Sequence, residues 1–129
     1  MVNLKKLFFA GNKIAKIENL STLTELAMLE LGANRIRRIE NLEQNVNLGE
    51  VFLGKNKITK IENVGHLTKL NLIDVQSCRL TSIDGLEELS ELTSLHLSHN
   101  QIKQIGNLER NIQLETVDLS GNPITKLSG

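Results

Sequence analysis

The sequence contains no tryptophan and no tyrosine, and its aromatic content is limited to three phenylalanines in 129 residues. Sites that recognise nucleic-acid bases or sugars by stacking need aromatic platforms, so such sites are not expected. A single cysteine excludes an internal disulfide framework and is typical of a reducing compartment. No apolar run approaches the roughly 20 residues of a transmembrane helix.

The chain also lacks a net charge, because 15 Lys and Arg residues balance 15 Asp and Glu residues. This balance argues against a dedicated nucleic-acid or membrane-surface binder, which carries a basic excess. The N-terminus places two lysines before a short apolar stretch. That stretch, residues 7–10, is shorter than the ~7–15 apolar residues of a signal peptide. The length fits one domain, which we place over residues 1–129.

What the chain has in excess is leucine, with 23 copies, and asparagine, with 14. A leucine opens each of about six 22-residue repeats, at Leu4, Leu26, Leu48, Leu70, Leu92 and Leu114. The third, fifth, tenth, thirteenth and sixteenth residues after each of these leucines are apolar wherever the chain contains them, and Phe9 is one of them. The eighth residue is asparagine in every repeat but one: Asn12, Asn34, Asn56, Cys78, Asn100 and Asn122.

The unit L-x-x-L-x-L-x-x-N/C-x-I-x-x-I-x-x-L resembles the leucine-rich repeat. The resemblance implies an α/β solenoid with a parallel sheet on its concave face and short 3₁₀ or irregular helical turns on its convex face. The alternating L-x-L segment predicts a short strand with one face inward. A single unit cannot bury its apolar face, so stacked units share one core.

The repeating asparagine is expected to be structural, since its amide has donors and an acceptor for turn backbone in its own and the next repeat. Cys78 is expected to fill the same slot as a weaker donor. The alternative, a reactive thiol, lacks an accompanying base.

Two repeats depart from the pattern on the convex side, where Asn45 and Asn111 replace leucine. An apolar residue follows each of them, Val46 and Ile112 respectively. We expect the turn to shift by about one residue so that this neighbour is buried, with a binding role for the two asparagines as the alternative.

The fourth residue after each repeat-opening leucine is expected to face the open concave side. This row consists of Phe8, Glu30, Phe52, Asp74, His96 and Asp118. Two of the three phenylalanines lie in it, two strands or roughly 10 Å apart, with a carboxylate between them. Met28 and Leu72 add apolar surface beside the row, and the arrangement is typical of a protein-binding patch. The alternative is a set of isolated apolar side chains without a role.

Two further hypotheses concern chemistry on this row. His96 and His99 lie close in sequence with Ser98 between them, but adjacent strand residues point in opposite directions, so no convergent catalytic pocket is implied. A metal site formed by Asp74, His96 and Asp118 has suitable ligand types on an open sheet without closing ligands. We therefore expect no enzyme activity, no cofactor and no metal.

Basic residues concentrate on the edge that follows the strands, in ten of the 15 cases. Acidic residues recur two to five positions later, at Glu18, Glu40, Glu62 and Asp84. The favoured interpretation is a band of salt bridges between repeats. A stripe that binds phosphate or nucleic acid is the alternative. The ten basic residues are Lys13, Lys16, Arg35, Arg37, Arg38, Lys57, Lys60, Arg79, Lys103 and Lys126.

The segments LKKLFFAGNKIAKIENL, LELGANRIRRIENL, VFLGKNKITKIENV and LSHNQI are similar to the leucine-rich-repeat regulatory subunits of protein phosphatase 1. The resemblance runs from about Leu4 to Ile124. It implies a non-enzymatic regulator, nuclear and cytoplasmic, whose concave face contacts the phosphatase catalytic subunit. Phe8, Glu30, Phe52 and Asp118 match family contact positions by motif, and Asp74 and His96 occupy the same row.

The family has about twice as many repeats and a C-terminal cap, neither of which is present here. The chain is therefore expected to be a fragment, a truncated relative or a protein that shields its ends by self-association. Axonemal and splicing-associated proteins share the I-E-N-L motif, so a cytoskeletal or axonemal scaffold that uses the same concave face is the second functional hypothesis.

Overall fold

The computed structural model describes residues 3–127, which form a stack of similar coils rather than a set of separate layers. Six three-residue strands, one from each repeat, pair in parallel with the strands of the neighbouring repeats, and two further two-residue strands form a small second sheet. The strands are β1 Lys6–Phe8, β2 Met28–Glu30, β3 Glu50–Phe52, β4 Leu72–Asp74, β5 Ser94–His96, β6 Gln104–Ile105, β7 Thr116–Asp118 and β8 Lys126–Leu127.

Each residue of the main sheet pairs with the residue 22 positions later, so that Leu7 lies opposite Leu29 and Leu29 opposite Val51. The sequence period thus becomes a structural period. The inward residues of the middle strands are buried, and leucine, isoleucine and valine from successive coils form one core. The predicted parallel-sheet solenoid of about six turns is confirmed.

The convex side was expected to carry 3₁₀ or irregular helical turns, and the structure does not confirm them. Residues 3–127 contain no helix. Instead, each convex segment makes two successive turns: Leu23 N–H donates to Leu20 C=O at 3.0 Å, and Leu26 N–H donates to Leu23 C=O at 3.2 Å. Because the bonds are three residues apart and do not overlap, the segment follows an angular path and not a helix. No helix in this part of the chain is long and apolar enough to cross a membrane.

The repeating asparagines form the predicted ladder. Asn56 Nδ2 donates to the carbonyls of Leu31, Leu53 and Gly54 at 3.0 to 3.2 Å, and its Oδ1 accepts the N–H of Ile36 at 2.9 Å. Two of these four partners belong to the preceding coil, so the side chain joins adjacent coils. Asn34, Asn100 and Asn122 make equivalent bonds, whereas Asn12, in the first coil, bonds only to its own turn.

Cys78 occupies one slot of this ladder, as expected. Its thiol donates to Leu53 C=O at 3.4 Å, which is one weak bond where asparagine makes several. Burial raises the pKa of the Cys78 thiol, so it stays protonated at neutral pH. The slot therefore keeps its shape and loses hydrogen bonds.

Replacing Cys78 with asparagine is expected to stabilise the protein by about 1 to 2 kcal/mol. The amide reaches Leu53 C=O and accepts from Ile58 N–H, as Asn56 does one coil earlier. Thermal unfolding followed by circular dichroism measures the change. Asn34→Cys is the reciprocal variant and should lose a similar amount. A melting temperature for Cys78→Asn at or below that of the native protein contradicts this account.

The predicted burial of Val46 and Ile112 was wrong. Asn45 and Asn111 are themselves buried, at 0% and 4% exposed, while Val46 and Ile112 lie on the surface. The turn keeps its register because Asn45 Nδ2 donates to Leu20 C=O and Leu23 C=O of the preceding coil, at 3.0 and 3.1 Å. These two bonds outweigh burial of the neighbouring valine, although the Oδ1 atoms of both asparagines have no hydrogen-bond partner within residues 3–127.

Phe9 was expected in the core and is 44% exposed. It lies on the first coil, and no other coil of residues 3–127 packs on its outer side. Val117 and Leu127 are exposed in the same way on the last coil. Position in the repeat therefore sets which way a side chain points, and a neighbouring coil is needed to bury it.

Candidate functional site

The six residues of the predicted concave row lie side by side. Strand pairing places Phe8 beside Glu30, Glu30 beside Phe52, Phe52 beside Asp74, and so on to His96 and Asp118. Phe8 is exposed and the other five are half-buried, so all six side chains are accessible from the concave side.

A second accessible row lies two residues earlier on each strand and completes an alternating pattern. In it, Met28 lies diagonally between Phe8 and Phe52, and Leu72 lies diagonally beyond Phe52, so each of the strands β1 to β4 contributes one apolar side chain. Charged residues fill the remaining positions of these strands, whereas β5 and β7 carry only polar residues at both positions. We call the eight residues on β1 to β4 the concave patch: Lys6, Phe8, Met28, Glu30, Glu50, Phe52, Leu72 and Asp74.

The carboxylates of the concave row are held by their own strand ends. Glu30 Oε1 accepts the N–H of Gly32 at 2.7 Å, and Asp74 Oδ1 accepts the N–H of Gln76 at 3.0 Å. Asp118 accepts both the N–H and the hydroxyl of Ser120, at 3.0 and 2.6 Å. The bonds from Ser120 lower the pKa of Asp118, so this carboxylate stays charged well into the acidic range.

Two glycines beyond the row leave space beside these side chains. A Cβ on Gly32 would lie 2.9 Å from Glu30 Oε1, and a Cβ on Gly54 would lie 2.8 Å from Gln76 Cγ. Because Gly32 and Gly54 have no side chains, a shallow depression of about 190 Å³ remains between Glu30, Phe52 and Asp74. The concave patch therefore combines fixed negative charges, an aromatic ring and a recess at its centre.

The structure brings together no group of three or more His, Cys, Asp or Glu side chains that could hold a metal ion within residues 3–127. His96 lies beside Asp118 in the sheet register, while the backbone of His99 adopts a left-handed conformation with φ of 57°. Asp74 and Asp118 direct their oxygens to neighbouring turn donors instead of toward a common point.

The predicted band of salt bridges is reduced to one acidic residue. Arg38 Nε and Lys60 Nζ both lie 3.8 Å from the Glu62 carboxylate, and these are the ion pairs within residues 3–127. Asp84 accepts hydrogen bonds from Ser82 and Asn107 instead. Apart from Glu62, the acidic row does not pair with the basic row within residues 3–127. Its carboxylates either accept local hydrogen bonds, as Asp84 does, or lie more than 4 Å from the basic nitrogen atoms.

Sequence analysis missed a second set of asparagines, which lie seven residues after asparagines of the ladder. Asn41, Asn63 and Asn107 have φ near 60° and donate to Ile17, Ile39 and Ile83 C=O of the preceding coil at 2.7 to 2.8 Å. The signal was present in the E-N-L, E-N-V and G-N-L motifs, because asparagine tolerates the left-handed region better than most residues. These bonds fix the coil spacing and hence the spacing of the concave patch.

The chain matches a family model described as Leucine Rich repeats (2 copies) over residues 2–44 and 90–129. The comparison with curated proteins gives no match. Among solved structures, the functional domain of InlJ from Listeria monocytogenes is 32% identical with a TM-score of 0.82, over 97% of this chain and 27% of that one. An internalin, InlF, from the same organism is 28% identical with a TM-score of 0.78, over 93% and 39%.

A leucine-rich-repeat protein of Leptospira interrogans is 26% identical with a TM-score of 0.87, over 95% of this chain and 33% of that one. The chain thus spans between about a quarter and two fifths of the length of these three proteins. The family-model match covers more than half of the chain, and the coil period, the strand register and the asparagine ladder agree with it. The chain therefore belongs to the leucine-rich-repeat family.

Proposed function

We propose that the concave patch is the binding surface for a protein partner. The observation that carries this proposal is the diagonal series of four accessible apolar side chains, Phe8, Met28, Phe52 and Leu72, on four adjacent strands. Apolar and aromatic side chains surrounded by polar groups are typical of the centre of a protein interface. A leucine-rich-repeat scaffold suits this role because its rigid sheet holds the side chains in a fixed array.

The charge of the patch specifies the partner surface. Glu30, Glu50 and Asp74 alternate with the apolar residues, and Asp118 extends the negative row onto the last strand. Lys6 is the one cation of the patch. A complementary partner presents basic residues around an apolar centre, and such complementarity mainly sets specificity and association rate.

For the identity of the partner, we propose the catalytic subunit of protein phosphatase 1, with this chain as a regulatory subunit in nucleus and cytoplasm. Support comes from the motif resemblance of the strand segments and from the concave positions of Phe8, Glu30, Phe52 and Asp118. The second candidate is a cytoskeletal or axonemal scaffold that uses the same face, and its support is the shared I-E-N-L motif.

The double variant Phe52→Ala with Glu30→Arg tests the patch. It removes the central ring and reverses the neighbouring charge, and we expect about a hundredfold weaker binding of the purified phosphatase catalytic subunit, or roughly 3 kcal/mol. Surface plasmon resonance measures the affinity, and circular dichroism verifies the fold.

Ile112→Ala with Glu109→Arg is the matched control, since it makes the same kinds of change on exposed residues outside the concave face. It should bind like the native protein. Failure of the native protein to bind the phosphatase rules out that partner, and capture of tubulin or dynein components supports the scaffold alternative. Equal binding by the native protein and the folded concave double variant rules out the patch.

A further inference from the structure

The edge of the solenoid that follows the strands carries a concentration of positive charge that the concave patch does not explain. Four corresponding segments, residues 12–17, 34–39, 56–61 and 78–83, contain eight Lys and Arg residues and no Asp or Glu. We call these four segments the basic edge. The equivalent segments of the last two coils, residues 100–105 and 122–127, contain one lysine each. The charge is therefore concentrated in the first three coils, which carry seven of these ten cations.

Backbone hydrogen bonds hold the basic edge in register. The N–H of Arg35, Lys57 and Arg79 each donates to a carbonyl of the preceding coil at 2.8 Å, namely Ile14, Ile36 and Ile58 respectively. Lys13 begins the same row. Adjacent coils are spaced like paired strands, about 4.8 Å apart. The four cations thus form a row across the edge. A second row beside it covers the first three coils and consists of Lys16, Arg37, Arg38 and Lys60.

Few of these cations are neutralised by the protein. Within residues 3–127, the ion pairs are those of Glu62 with Arg38 and Lys60, both at 3.8 Å, and the two cationic side chains remain 61% and 68% exposed. Lys13, Lys16, Arg35, Arg37 and Arg79 are also exposed. Repulsion between neighbouring like charges favours an external anion there, although Glu18, Glu40, Glu62 and Asp84 directly follow the four segments and offset part of the charge.

The side chains of the basic edge distinguish between polyanions. None of the three phenylalanines lies in these segments, so unpaired bases have no stacking platform. None of the exposed large apolar side chains lies there either, so the edge has nothing to insert into a membrane. Arginine supplies half of the cations, and its planar guanidinium binds sulfate-type oxyanions in a two-bond geometry.

We propose that the basic edge binds a linear sulfated polysaccharide. Each coil contributes one cation to the first row, so neighbouring cations of that row are about one strand spacing, or 4.8 Å, apart. This distance is closer to the spacing of one charge per sugar ring in a polysaccharide than to the spacing of adjacent charges in polyphosphate. The polymer lies along the solenoid axis, across the four coils, with sulfates between the two cation rows. None of the six residues of the concave row belongs to the basic edge, so this site is separate from the proposed partner surface.

The test uses the native chain and a fluorescein-labelled heparin oligosaccharide, with fluorescence anisotropy measured at several salt concentrations. Binding is expected to weaken steeply as salt rises from about 50 to 200 mM. The reason is that binding releases counterions from the polymer, and this release is less favourable at a higher salt concentration. The variant Arg35→Ser with Arg37→Ser and Lys57→Ser is expected to bind at least tenfold more weakly and with a shallower salt dependence.

The matched control removes three exposed cations outside the basic edge and its equivalent segments: Lys5→Ser with Lys69→Ser and Arg110→Ser. Its net charge equals that of the first variant, and it should bind heparin within about threefold of the native protein. Equal losses in the two variants overturn the proposal, since they would report net charge alone. It is also overturned if the native chain does not bind heparin at about 50 mM salt. Binding of polyphosphate, single-stranded DNA or phosphatidylserine vesicles as tight as that of heparin likewise overturns it.

Discussion

Replacing Asn56 with alanine is expected to lower the free energy of unfolding by about 3 kcal/mol, or the melting temperature by roughly 10 °C. Asn56 is 6% exposed and lies at the middle of the ladder. The substitution leaves Ile36 N–H without its acceptor and weakens the satisfaction of three carbonyls, two of them on its own turn and one on the preceding coil. Buried backbone groups that lose a partner cost about 1 kcal/mol or more each.

The matched control is Asn12→Ala, at the corresponding position of the first coil. Asn12 is exposed and donates only to Phe9 and Ala10 of its own turn. We expect its replacement to cost less than about 1 kcal/mol. Urea unfolding of both variants, monitored by circular dichroism, gives the two free energies. Similar losses at the two positions would show that the asparagine stabilises its own turn and does not join adjacent coils.

Gly85→Ala is the second substitution with a large expected effect, a loss of about 3 kcal/mol or more. Gly85 has φ of 80°, where an alanine is already strained by about 1 to 2 kcal/mol. In addition, a Cβ at this position would lie 2.2 Å from the backbone oxygen of Ile61 in the preceding coil. Relief of this overlap requires the two coils to separate, which weakens the packing between them.

Gly11→Ala separates the two contributions. Gly11 has a similar φ of 75°, and no atom lies within 4 Å of the position that its Cβ would occupy. This variant is expected to lose about 1 kcal/mol from backbone strain alone. The difference between the two variants in thermal or urea unfolding measures the steric cost. If Gly85→Ala loses no more than Gly11→Ala, the close approach to Ile61 is not a constraint on the fold.

Gly85 also marks a limit of reading the repeat from sequence. The second, third and fifth repeats have asparagine at this position, Asn41, Asn63 and Asn107, each with φ near 60° and a side chain bonded to the preceding coil. Comparison of the repeats alone indicates that asparagine is suitable at position 85. The structure indicates the opposite, because the fourth coil approaches the third too closely for any Cβ at that position.

The concave patch was largely predictable. The strand period of two residues and the repeat of 22 place Phe8, Glu30 and Phe52 in one accessible row. In the structure, strand pairing places these three residues side by side. The hydrogen bonds that hold its carboxylates were not predictable. Glu30 turns back to Gly32 N–H with its Oε1 2.9 Å from the position that a Cβ on Gly32 would occupy, and such a contact depends on three-dimensional packing.

The basic edge shows the same division. Its charges are visible in the sequence, where they suggested a band of salt bridges with the acidic row. Among residues 3–127 the structure restricts those pairs to Glu62, since a pair requires two charged atoms within about 4 Å and not only a nearby position in the repeat. The unpaired charge is what makes the polysaccharide proposal testable on this protein.

The sequence alone determined the coil period, the strand register, the buried aliphatic positions and the asparagine ladder. These features repeat every 22 residues, so each follows from the orientation of one residue within one coil. Only the tertiary structure decided that Asn45 is buried in preference to Val46, that Phe9 is exposed, that the convex turns are not helical and that Gly85 has no room for a side chain. Each of these depends on distances between atoms of the same or neighbouring coils, which hydrogen bonding and packing set together.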